Sequence, residues 1–141
     1  MLTTFLRKNH RQLKLSTVNC LLAIYKNYSK YITIEQLKTV VIVELPSLLN
    51  ENDLHISQVA LKLITLISKT HGPQLVSSNI LQQVLSLIQS PLLQGLALET
   101  SIEFFITIVK HNQQGLQYKD LINVKSEKQA ILSLFLFSFL F

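Results

Sequence analysis

Four histidines, eight carboxylates, one cysteine and thirteen basic side chains are the groups in this sequence with chemistry to offer. His10, His55, His71 and His111 stand far apart, with no His-Glu-x-x-His, Cys-x-x-Cys or closely spaced pair. The ligand spacing of a metal site is therefore missing. Glu51 and Asp53 share one polar turn, where a helix N-cap is the better use of Asp53. Glu99 and Glu103 lie four apart, one helical turn, and read as a solvent-facing pair. Gly72, Gly95 and Gly115 are isolated, so no phosphate-cradling loop exists, and no Gly-x-Ser-x-Gly elbow positions a nucleophile. A non-catalytic chain with no cofactor and no small-molecule substrate is the expectation. Cys20 has no partner for an internal disulfide. It falls in an apolar helical run, which predicts a packed core thiol in a reducing compartment.

The basic residues are the stronger signal. Residues 1 to 30 hold Arg7, Lys8, Arg11, Lys14, Lys26 and Lys30 and no acid, whereas the rest of the chain holds seven basic and eight acidic groups. The net charge of +5 is thus a local patch. Arg7, Arg11 and Lys14 are spaced by four and three, so on a continuous helix they share one face. That face is a candidate docking stripe for an acidic protein or for nucleic-acid phosphates. The plainer reading is a solvated face that keeps a leucine-rich chain soluble. Only Phe5 is interleaved with these cations, so no base-stacking platform is indicated.

These groups must be held by helices. Hydrophobic residues make up 48% of the chain, with only three glycines and three prolines, which suits long helices better than many tight turns. The apolar pattern repeats. Leu54, Val59, Leu63, Leu66 and Ile67 shifted by 39 become Leu93, Leu98, Ile102, Phe105 and Ile106; Val41, Leu45, Leu48 and Leu49 become Ile80, Val84, Leu87 and Ile88. Shifted back by 41, Leu54, Ile56, Val59, Leu63 and Leu66 land on Leu13, Leu15, Val18, Leu22 and Tyr25. A period near 40 carried by helical patterns marks an all-α, HEAT-type solenoid (an armadillo-like superhelix) of about three hairpins. The units fall at roughly residues 1–31, 32–72 and 73–113.

Local signals place the helices. Residues 1–8 read as the end of a helix, and 10–28 as a full one. Thr33 with Gln36 forms a capping box for a helix to about residue 50, kinked at Pro46. Asp53 caps a helix to about residue 70, with Lys69 and His71 at its C-terminal end and Gly72-Pro73 as the break. A third long helix is expected over 74–89. Ser90-Pro91, cap then proline, predicts the start of a fourth that runs to about His111, where His111 repeats the place of His71. A turn at 112–115 and a helix from Tyr118 follow. In the helix from Leu54, apolar residues cover more than one stripe, as an inner helix of a stack requires. The charge-free stretch from Thr70 to Leu98 carries too many amides, with Gly72 and Pro73, to span a bilayer. The phenylalanine-rich tail, 123–141, has an apolar run reaching only about 18 Å as a helix, short of a membrane's roughly 30 Å core. Two readings fit it: a segment that packs on the last open repeat, or, the preferred one, sequence foreign to the fold such as a truncated or mis-spliced end.

Within this frame, Phe5-Leu6-Arg7-Lys8-Asn9-His10-Arg11-Gln12-Leu13-Lys14-Leu15 and Ser90-Pro91-Leu92-Leu93-Gln94-Gly95 are specific strings. They resemble an internal segment of the cullin-associated, neddylation-dissociated family, also called TBP-interacting proteins. The likeness continues through Glu44-Leu45-Pro46-Ser47-Leu48-Leu49 and Asp53-Leu54-His55-Ile56-Ser57-Gln58, and ends near Asp120-Leu121. The resemblance implies a long HEAT array that embraces an unmodified cullin–RING scaffold and regulates assembly and receptor exchange of SCF-type ubiquitin ligases. It implies a protein-binding segment working in the cytoplasm, the nucleus or both, with no membrane span. The alternatives are a nucleic-acid or transcription-factor adaptor using the basic N-terminal helix, and a truncated fragment with no function of its own.

Overall fold

A computed structural model describes residues 2–71 and 75–110. Every regular element among them is helical. A 3-10 segment, Leu2–Arg7, precedes helix α1, Arg11–Tyr28. After a 3-10 turn at Ser29–Tyr31 comes α2, Ile34–Lys38, which runs on as a π-helical stretch, Thr39–Glu44, and a 3-10 turn, Leu45–Leu48. Helices α3, Leu54–His71, α4, Ser78–Gln89, and α5, Gly95–Lys110, complete the order.

The packing is that of a solenoid. Helix α3 packs against α1 on one side and α5 on the other, so the three long helices form one layer. The other layer holds the 2–7 segment against 39–44, and 45–48 against α4. Among the described residues the main packing of each hairpin is therefore with its neighbour, as in HEAT arrays. The doubly covered position of α3 explains its composition: Ile56, Val59, Ala60, Leu61, Leu63, Ile64 and Ile67 are all buried. Only His55, Lys62, Lys69 and Thr70 lie exposed along it.

The expected caps hold at two places. Thr33 Oγ1 accepts the Gln36 amide at 3.3 Å while Gln36 Oε1 accepts the Thr33 amide at 3.0 Å. Asp53 Oδ1 accepts the Ile56 amide at 3.1 Å. The kink expected at Pro46 is spread over more residues. Thr39 to Val43 are five β-branched residues in a row, poor helix formers, and Pro46 then supplies no amide. The backbone widens, with the Leu45 amide bonding to Val40 O, and then tightens into the 3-10 turn.

Other expectations are corrected. Residues 2–7 form a 3-10 segment and not an α-helical end. The third long helix begins at Ser78, because Ser77 Oγ takes the Ile80 amide at 3.3 Å and fixes the start there. The helix predicted from Ser90-Pro91 begins at Gly95. The Ser90 hydroxyl instead donates to Glu51 Oε2 at 2.6 Å, and Leu93 N bonds to Ser90 O at 3.2 Å, closing a turn that buries Leu93. Gly95 then has φ +57°, a left-handed conformation that glycine adopts without strain. Cys20, expected in the core, is exposed. Leu15, Val18, Leu22 and Tyr25 turn the buried face of α1 toward α3, and Cys20 lies on the opposite side of the helix. The expectations for Gly72-Pro73, His111, the turn at 112–115, the helix from Tyr118 and the 123–141 tail fall outside the described residues.

Candidate partner-binding surface

Arg7, Arg11 and Lys14 do not share one helical face. Arg7 ends the 3-10 segment, and α1 begins only at Arg11. The break is set by His10, whose Nδ1 accepts the Leu13 amide at 3.1 Å and so caps the helix. Histidine is an uncommon cap, and this role left no mark in the spacing pattern.

Two of the three cations are matched within the chain. Arg7 donates to both carboxylate oxygens of Glu44, through Nε at 3.2 Å and through Nη2. Glu44 is 4% exposed, on the π-helical stretch; burying its charge demands such a partner. Arg11 reaches Asp53 in the same forked manner, through Nε and through Nη2 at 3.3 Å. Asp53 thus caps α3 and anchors α1 at once. Burial pushes its carboxyl up, but the Arg11 guanidinium and the Ile56 and His55 amides outweigh burial and hold it below the usual carboxylate range. Lys14 is half-buried and forms no ion pair with a described residue. It lines a polar cleft of about 350 Å³ with Arg11, Asp53, Asn50 and Asn52.

A second basic group emerges from the fold alone. Lys26 of α1 and Lys62 and Lys69 of α3 line one small cleft with Leu66 and Glu103 of α5. Lys69 Nζ pairs with Glu103. Its signal in sequence was the seven-residue step from Lys62 to Lys69, which marks a solvent-facing ribbon of α3. Lys26 joins them only through the stacking of α1 on α3.

The remaining titratable groups are dispersed. Among the described residues no group of three His, Cys, Asp or Glu side chains could hold a metal ion. His71, at the end of α3, hydrogen-bonds the Tyr25 hydroxyl through Nδ1, with ring centroids 5.6 Å apart. Burial raises the Tyr25 phenol above its ordinary value. Glu99 and Glu103 are both exposed. Among the described residues no helix is long and apolar enough to cross a membrane.

No family model matches the chain. Individual proteins do. Cullin-associated NEDD8-dissociated protein 1 of Drosophila melanogaster is 40% identical over 124 residues, 86% of this chain and 10% of that protein. The protein of the same name from Dictyostelium discoideum is 35% identical over 129 residues, 88% of the chain. Cullin-associated NEDD8-dissociated protein 2 of Mus musculus is 33% identical over 126 residues, again 88% of the chain. The chain spans about a tenth of the length of these curated relatives. Its stacked hairpins, its buried apolar repeat and these identities agree: over nearly nine tenths of its length the chain matches an internal segment of the cullin-associated NEDD8-dissociated family.

Proposed function

We propose that this chain is a non-catalytic helical scaffold that binds a cullin, and that it serves the assembly of SCF and related cullin–RING ubiquitin ligases in the cytoplasm or the nucleus. The observation that carries the reading is the 40% identity to a cullin-associated protein over 86% of a chain that folds as stacked helical hairpins. Binding here works by shape and charge, from a surface laid over units at roughly 1–31, 32–72 and 73–113. No covalent step is required of it. The nucleic-acid reading loses support, because Arg7 and Arg11 are already neutralised by Glu44 and Asp53. Retention of the purified chain on an immobilised, unmodified cullin–RING pair tests the proposal. The expected result is saturable capture. No capture under conditions that retain a full-length relative would overturn it.

A further inference from the structure

The layer formed by α1, α3 and α5 carries an unbalanced charge near its centre. Three lysines, Lys26, Lys62 and Lys69, line one cleft together with a single acidic residue, Glu103. Glu103 is taken by Lys69, so Lys26 and Lys62 have no ion pair among the described residues. This differs from the N-terminal cluster, where each arginine already has its acid.

We propose that this cleft is a docking site for an acidic peptide segment of a partner protein. Its volume of about 100 Å³ gives room for one side chain, well below the roughly 300 Å³ at which drug-sized ligand sites begin. Leu66 is half-buried in its wall, so the methylenes of a glutamate rest on apolar surface while its carboxylate reaches Lys26 and Lys62. Among the described residues the cleft has no aromatic side chain to stack a base. That lack, with a volume that admits one side chain, favours a carboxylate-bearing protein over nucleic acid. The site adds a location and a chemistry to the scaffold reading, on which it rests for the cullin arm of the test alone.

The test uses the full chain and a fluorescein-labelled Glu-rich decapeptide, read by anisotropy at low salt. Two variants remove the same charge: K26S/K62S at the cleft, and K8S/K30S on exposed lysines elsewhere. Unchanged circular dichroism establishes that each is folded. The expected result is a Kd raised about fivefold in the cleft variant, as two lost ion pairs imply, and less than twofold in the control. Equal losses in both variants would mean a response to net charge, and the cleft proposal falls. Duplex DNA that outcompetes the peptide and shows the same dependence on Lys26 and Lys62 would overturn the acidic-peptide assignment. A cullin–RING pair is the second probe. Cullin binding by the unaltered chain that K26S/K62S leaves unchanged refutes the cleft and spares the scaffold. Peptide binding at the cleft without any cullin capture refutes the scaffold and supports the cleft.

Discussion

Asp53 shows how one side chain can serve two helices. Its carboxylate closes the first turn of α3 and receives the Arg11 fork from α1. Its folded-state pKa lies below the unfolded value of about 3.8, so ionised Asp53 stabilises the fold. That contribution is complete above the unfolded value and is lost as pH falls through the folded one. Asp53→Asn keeps a good cap and removes the charge. Chemical denaturation between pH 2 and 6 should therefore show a shallower acid loss in Asp53→Asn than in the parent; parallel pH profiles would refute the role. The cap was legible in sequence from a polar turn before an apolar run. The ion pair was not, because it joins residues 42 apart and depends on where the helices stack. The spacing of Arg7, Arg11 and Lys14 misled for a related reason: it assumed a helix continuous through residues 8–10, where His10 starts a new one.

At the element scale the turn between the two layers depends on Ser57. Its hydroxyl lies 2.8 Å from Leu48 O and 2.6 Å from Asn50 O, and it accepts the Asn50 amide at 3.1 Å. Ser57 is 1% exposed, and its bond to Leu48 O is buried. Ser57→Ala should cost about 1–3 kcal/mol through backbone groups left unsatisfied. Ser16, which the 41-residue shift brings to the same place in α1, is exposed; Ser16→Ala should change stability by less than about 0.5 kcal/mol. Urea melts of the two variants check this, and equal losses would contradict the asymmetry. Helix identity and order were readable from apolar periodicity, since burial enforces it. The starts of α4 and α5 were not. Ser77 and Ser90 are equally good caps by type, and only the distant Glu51 decides that Ser90 spends its hydroxyl on a tie to the preceding unit. Cys20 carried the same ambiguity: an apolar run names the helix but does not say which side its neighbour covers.

For the whole molecule, the polar ties reveal how stability is shared. Arg7–Glu44, Glu51–Ser90, Gln58–Thr100 and Tyr25–His71 join residues 37, 39, 42 and 46 apart, each close to one repeat. With the main packing of the described residues also between neighbours, stability is approximately a sum over units and the interfaces between them. Among the described residues helix α3 packs between α1 and α5, and Ile64 in it is fully buried; α1 meets α3 along one face, through Val18 and its neighbours. Ile64→Ala should cost about 2–5 kcal/mol and loosen both interfaces. Val18→Ala should cost about 2 kcal/mol and loosen one. Hydrogen exchange followed by mass spectrometry separates the cases. Ile64→Ala should speed exchange across α1, α3 and α5 together, because all of them rely on α3. Val18→Ala should speed exchange in α1 while α5 keeps the protection of the parent. A uniform rise over all three helices in both variants would instead indicate a single cooperative globule, and the nearest-neighbour account of this array would fail.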